Sequence, residues 1–288
     1  MNFVDFARTH GVEINALRSG DRIWRCPTTT HPKSRNGAYY FDGQRGWVQA
    51  WDSGEPAQWW NDATAKPWTD ADKADWVRRR DAETRQRIQR QREAAKRAQE
   101  LLATCEHAPH NYLATKGFPD VPVMVTPDYA MVIPMRDVES NELLGAQVIA
   151  MENNAWAKKM LPGMRAKGAV LRLGPPRVTE SVLVEGFATG LSVEAAVRKL
   201  CIRAAIYVTF SANNLAHVAG LIGGKRYVFA DNDESGTGQC TADATELPWV
   251  ASDVAGEDCN DLHQRAGLMA VCRLLMIARA ASAGGRAQ

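Results

Sequence analysis

Glu185, Asp231, Asp233, Asp258 and Asp261 occupy three short stretches in the second half of the chain, and each stretch follows an apolar, β-prone run. Glu185 ends SVLVE, Asp231 and Asp233 end YVFADND, and Asp258 and Asp261 come after LPWVASDV. Side chains two apart on an extended segment point the same way, so Asp231 and Asp233 can address one cation. Hard oxygen donors with room left for water and phosphate suit Mg²⁺, whereas a soft metal would call for Cys or His spacing. The cysteines (Cys26, Cys105, Cys201, Cys240, Cys259, Cys272) form no CxxC pair, so neither a zinc ribbon nor a disulfide framework is expected. Like charges gathered this closely are costly without a cation. Taken singly, Asp258 or Asp261 also reads as a helix N-cap.

Positioning such groups requires strand ends, and the pattern supplies them. From Val178 the chain alternates: SVLVEG, helical FATGLSVEAAVRKL, strand-like AAIYVTFSANNL, helical AHVAGLIGG, then KRYVFADNDESGTG. A helix from about Ser235 or Gly236 to Glu246 and a last strand in LPWVASDV follow. This alternation predicts an α/β fold with a parallel sheet, whose chemistry sits at the carboxyl ends of the strands. Upstream, AMVIPM and GAQVIAM flank the turn DVESNE and predict an antiparallel hairpin. HAPHNYLATKGF predicts a short helix stopped at Gly117. Lys158, Lys159, Arg165, Lys167 and Arg172 form a basic cluster just before the acidic unit, which reads either as a phosphate-binding segment or as an ordinary surface loop.

Residues 69–104 lack Gly and Pro and have few large apolar residues, which predicts a long, solvated connecting helix rich in arginine. Residues 1–65 form a small module of short strands, with Trp24, Tyr39, Tyr40, Trp47 and Trp51 among Arg22, Arg25, Lys33, Arg35 and Arg45. Those aromatics read as the core of a small domain or as a stacking surface for bases. The expected organisation is thus a module at 1–65, a helix at 66–105, a basic α+β subdomain at 106–173, a catalytic α/β domain at 174–270 and a helix end with a frayed tail at 271–288. A net charge of +2 over 288 residues neither requires nor excludes a polyanionic partner. The start MNFVDFARTHGVEI does not resemble a secretory signal and no run is long enough to span a membrane, so a cytoplasmic protein is expected.

VLVEGFATGLS, VFADNDESGTG and GEDCNDL resemble, in order, the three signatures of Toprim domains in the variant of phage and plasmid primases. HNYLATKGF, MVIPMRD, LLGAQVI and KKMLPG resemble the segments that precede Toprim in such primases, so the similarity covers about residues 106–265. The match is weakest before residue 70, where bacterial replicative primases carry a zinc module that Cys26 and His31 alone cannot build. The resemblance implies that Glu185 is the Toprim glutamate, acting in acid–base chemistry or metal binding. It further implies that Asp231 and Asp233 are the metal-binding pair and that Asp258 opens the later acidic turn. Asn260 stands where many relatives have another aspartate, with Asp261 as its substitute, and Thr189 stands where replicative primases often have an additional acid.

The activity implied is synthesis of short RNA primers on single-stranded DNA with Mg²⁺, or Mn²⁺ in its place, and without zinc. Lys158, Lys159, Arg165 and Lys167, with Arg136 as a further candidate, would meet triphosphate or template. The implied setting is phage or plasmid replication in a bacterial host. No GxxxxGK[ST] loop occurs, so any replicative helicase is a separate partner. A Toprim nuclease using the same carboxylates and a non-catalytic replisome DNA-binding protein are the alternatives.

Overall fold

The structure is a computed structural model that describes all residues except 34, 54, 66–69, 234–235 and 285–288. Parts of several sequence expectations therefore lie outside the described residues: the first residues of the connecting segment, the start of the helix expected at Ser235, and the end of the frayed tail. The chain divides into two compact units, Met1–Arg80 and Asp81–Gln288.

In the first unit, α1 (Phe3–Thr9) is followed by β1 (Gly20–Cys26), β2 (Gly37–Phe41), β3 (Arg45–Ala50) and β4 (Gln58–Asn61), an antiparallel meander in sequence order. Phe3 stacks on Phe41 at 4.7 Å and meets Trp60 edge-on at 5.5 Å, so part of the aromatic content forms the core with Tyr39 and Val48. Other aromatics lie under arginine: Arg22 is 3.7 Å from the Trp24 ring centroid and Arg25 is 3.9 Å from that of Trp51. Asp52 accepts hydrogen bonds from Thr28 and Thr30 and lies 2.9 Å from His31 Nδ1. Cys26 is buried in the core.

Helix α2 (Asp70–Ala103) contains the boundary between the units. Its arginines from Arg78 to Arg97 are exposed, as its sparse apolar content requires. Its last turns nevertheless bury a narrow stripe, with Ala98 and partly buried Leu101 and Leu102 against Val132 and Ala146.

The second unit continues with β5 (Glu106–Ala108), α3 (Asn111–Thr115), β6 (Val123–Val125), β7 (Met131–Asp137), β8 (Leu143–Glu152), β9 (Ala155–Met160) and β10 (Ala169–Leu173). Then come β11 (Glu180–Val184), α4 (Phe187–Lys199), β12 (Ala204–Val208), α5 (Ala212–Leu221) and β13 (Lys225–Phe229), followed by α6 (Thr237–Ala244), β14 (Trp249–Val250), α7 (Cys259–Ala266) and α8 (Leu268–Gly284). The fold is mixed α/β, with one sheet in the order β14-β13-β11-β12-β10-β7-β6-β5 and β8 and β9 attached through β7. Strands β14, β13, β11 and β12 are mutually parallel, and β10 closes them antiparallel.

Alternate residues of β11 serve two cores. Val182 and Val184 pack with Leu191, Val197 and Leu275 of α4 and α8, while Leu183 packs with Leu215, Val218 and Ala242 of α5 and α6. Helices thus cover both faces. The chain steps from β11 to β12 on one side, then returns past β11 to β13 and β14, so the order reverses between β11 and β13. In doubly wound sheets that reversal opens a crevice at the carboxyl ends of the two strands.

Some boundaries differ from expectation. Residues 209–215 leave the strand early because Ser211 accepts a hydrogen bond from Asn214 N and starts α5. The last strand shrinks to Trp249–Val250. The basic WAKKM is strand β9 rather than loop: Asn153 (φ 50°) and Asn154 (φ 61°) make the two-residue turn that folds it against β8. Helix α8 is integral, since Arg279 binds Glu180 with Nε at 2.8 Å and Nη2 at 2.9 Å. Among the described residues, no helix is long and apolar enough to cross a membrane.

Candidate functional site

Parallel pairing puts Val184 beside both Val208 and Phe229, and Phe229 beside Val250, so the ends of β11, β13 and β14 are adjacent. Glu185 leaves β11 as α4 begins at its N-cap Gly186. Its carbonyl accepts from Phe210 N at 2.9 Å, a contact that holds Phe210 at φ 64°. A bulky residue in that region is uncommon, and sequence reading gave no sign of it.

The Asp-Asn-Asp run alternates as an extended segment should. Asn232 turns away: its Nδ2 donates to the Ser252 and Val254 carbonyls at 3.0 and 3.2 Å, and its backbone binds Glu257 O and Gly256 N. It thereby ties the acidic turn to β13. Asp233 receives Thr237 N and Gly238 N, each at 3.2 Å, and so caps α6. Asp231 enters the interior, where its Oδ1 is buried with no hydrogen-bond partner. Burial, then Asp258, Glu185 and Asp233, push its carboxyl up to about 7, and Lys158 opposes the rise. Burial and Asp233 likewise raise Glu185, again against Lys158.

Four carboxylates therefore share one field, and Lys158 faces them. Asp261 stands aside. It forms a capping box with Asp258, whose carboxylate accepts from Asp261 N at 2.9 Å, and its own oxygen lies 3.4 Å from Lys116 Nζ. The N-cap role open to either residue from sequence is thus real for Asp258, which also faces Asp231. Asn260 is fully buried and donates to Lys116 O at 2.9 Å and Ser192 Oγ at 3.1 Å, so it fastens α7 to α3 and α4 rather than lining the site. Thr189 is buried with its hydroxyl unpartnered.

The basic residues separate. Lys158 and Lys159 occupy opposite faces of β9: Lys158 lies over Tyr112 at 5.4 Å and faces the carboxylates, whereas Lys159 binds Glu152 at 2.6 Å. Arg165 pairs with Asp137, Arg136 donates to Asn141 O at 3.1 Å, and Lys167 is exposed. The loop carrying Arg165 and Lys167 is held to the end of β12 by Asn214, which accepts from Gly168 N at 2.7 Å and donates to Ala169 O at 2.8 Å. A cavity of about 590 Å³ lined by Arg172, Arg177, Thr179 and Tyr207 lies at the opposite, amino-terminal end of the parallel strands.

Among the described residues, no three His, Cys, Asp or Glu side chains are drawn closely enough to cage a metal by themselves. The donor set is all hard oxygen, and Asp231 offers a buried, unsatisfied lone pair. That suits a cation held by one or two carboxylates and completed by water and phosphate, which is the habit of Mg²⁺ and not of Ca²⁺ or Zn²⁺.

No protein-family model matches this sequence, and no curated protein matches it.

Proposed function

We propose that this chain is a Toprim-type DNA primase that makes short RNA primers on single-stranded DNA by metal-dependent nucleotidyl transfer. The observation that carries this reading is the convergence of Glu185, Asp231, Asp233 and Asp258 at the adjacent ends of β11, β13 and β14, with Lys158 facing them. Four neighbouring carboxylates repel nucleic acid, so a site built this way makes sense with a divalent ion between it and a phosphate. Asp231 with Glu185 or Asp233 would hold Mg²⁺, which supplies neutralisation of the triphosphate and activation of the attacking hydroxyl.

The chain's own groups have distinct tasks. Glu185, its carboxyl raised above the ordinary carboxylate value by burial and Asp233, takes the proton of a 3′-hydroxyl at its carboxylate oxygen. Lys158 meets phosphate directly and limits repulsion within the cluster. Asp233 is oriented by the first amides of α6, and Asp258 by its capping box. Arg165 and Lys167 lie at the end of β12, beside β11, where a strand backbone can pass. Arg136 and Lys159 remain candidates for backbone contact.

The test incubates purified protein with Mg²⁺, labelled ribonucleotides and mixed single-stranded DNA. Short oligomers that vanish with Asp231→Ala or Glu185→Ala support a primase. Template degradation without synthesis would assign a Toprim nuclease instead, and strand binding without either product would assign a binding protein.

A further inference from the structure

Tyr129 adopts φ 63°, which bulky residues rarely adopt, yet the residue remains 47% exposed. The hairpin turns of the same unit use Asn at such angles, at Asn141, Asn153 and Asn154. A tyrosine in that conformation therefore needs a reason other than the turn.

The surroundings hold it firmly. Tyr129 N donates to Thr126 O at 2.9 Å, Ala130 O accepts from Thr126 N at 2.9 Å, and Ala130 N donates to Thr126 Oγ1 at 3.0 Å. His110 is buried and caps α3, its Nδ1 accepting Tyr112 N at 3.2 Å. That leaves Nε2 to carry the proton, which it donates to Tyr129 O at 3.1 Å. The imidazole also stacks under the Tyr129 ring, 4.8 Å between centroids and 26° between planes. One ring face is thus taken by His110, and in a half-exposed residue the other is the face left for a ligand.

Behind it runs a row of rings. His110 meets Trp156 at 5.2 Å, Trp156 meets Tyr112 at 5.8 Å, and Tyr112 lies under Lys158, the cation facing the carboxylates. An exposed aromatic face in rigid continuity with a phosphate-facing cation is the pairing that single-stranded nucleic acid requires: stacking for its bases and charge for its backbone.

We propose that the outer face of Tyr129 is a stacking site for a base of the DNA strand whose phosphates pass Lys158 on the way to the carboxylates. This deepens the primase reading and rests on it. Three ring-to-ring contacts separate Tyr129 from Lys158, so the stacked base belongs to the strand beyond the reacting nucleotide.

The test is fluorescence anisotropy of the full chain with a fluorescein-labelled oligothymidylate, in chelator so that no turnover occurs. Tyr129→Asn suits the positive φ and removes the ring, and should fold at least as stably as the parent. It should bind the oligonucleotide roughly tenfold more weakly, within the range for loss of one stacked base, while Tyr129→Phe binds like the parent. Abasic oligonucleotide should bind parent and Tyr129→Asn alike. Unchanged affinity of Tyr129→Asn for oligothymidylate overturns the stacking site, as does an equal loss on abasic strand, which would place the effect in the backbone. Primer synthesis measured alongside separates the two readings. Synthesis with unaltered strand affinity in Tyr129→Asn defeats only the stacking site, whereas a parent protein that neither binds strand nor synthesises defeats both.

Discussion

Asp231, half-buried with its Oδ1 shut off from solvent, lies beside three other acids, and removing its charge alone should stabilise the protein. Asparagine keeps the shape and eliminates the repulsion. In the unfolded chain the carboxyl ionises near its ordinary value of 3.8, but in the fold it rises to about 7 through burial and then Asp258, Glu185 and Asp233. Below pH 4 both states hold the proton and the residue costs nothing. As pH climbs toward 7 the unfolded state releases its proton while the folded state keeps it, so stability falls, and above 7 the penalty is complete. At about 1.4 kcal/mol per pKa unit, the full rise is worth roughly 4 kcal/mol, and less as the neighbouring acids share the relief. Asp231→Asn should therefore match the parent near pH 4 and exceed it by about 2–4 kcal/mol at pH 8 in chelator. Hydrogen exchange of the β11 and β13 amides reads this quantity in the second unit. Millimolar Mg²⁺ should narrow the gap, because it stabilises only the protein that binds it. A variant that is less stable than the parent at pH 8 in chelator, or a difference that does not change with pH, would refute the reasoning.

The two adjacent lysines should behave differently. Lys158→Ala removes the cation that opposes the raised pKa of Asp231 and Glu185, so the acid limb of the pH–rate profile should move to higher pH and synthesis should fall. Lys159→Ala breaks only an exposed pair with Glu152, worth under about 1 kcal/mol, and should leave that profile in place. Gly238→Ala would place a Cβ 2.3 Å from the Asp231 carbonyl oxygen, so it should abolish Mg²⁺-dependent stabilisation along with synthesis, as titration of thermal unfolding with Mg²⁺ would show. Asn260→Ala removes the amide that joins the Lys116 carbonyl to the Ser192 hydroxyl, which keeps only His263 Nδ1 at 3.1 Å, and should cost about 1–3 kcal/mol in urea unfolding. In the first unit, burial works to raise Asp52, but hydrogen bonds from Thr28, Thr30 and His31 outweigh it and draw the carboxyl down to about 2. Its contribution is present above pH 4 and lost as pH falls toward 2, so Asp52→Asn should flatten the acid limb of that unit's near-ultraviolet circular dichroism.

Much of the second unit was readable because its signals are local. Apolar runs such as SVLVE and RYVFA, separated by helical segments, specify an α/β unit, and acids that end those runs must lie at strand ends. The hairpin around DVESNE announced itself through turn chemistry, with Asp137 accepting from Ser140 N at 2.8 Å. Strand β9 gives a weak local signal despite the two-residue turn at Asn153-Asn154, because its six residues are too few to alternate clearly and two of them, Lys158 and Lys159, are adjacent charges. The roles of Asn260 and Asp261 were not legible, because neighbouring residues on a helix face different directions and only packing decides which points inward.

By itself the sequence determined which residues end strands, where helices interrupt them and which side chains can hold a hard cation, since these depend on residue type and spacing. The tertiary structure alone decided that β11 lies between β12 and β13, which brings Glu185 beside Asp231 across 46 residues of chain. It also decided that Lys158 faces the acids while Lys159 does not, and that His110, Trp156 and Tyr112 form a row ending at Tyr129. Contacts between residues far apart in sequence arise from strand order and the burial of shared apolar faces, and no local pattern encodes them.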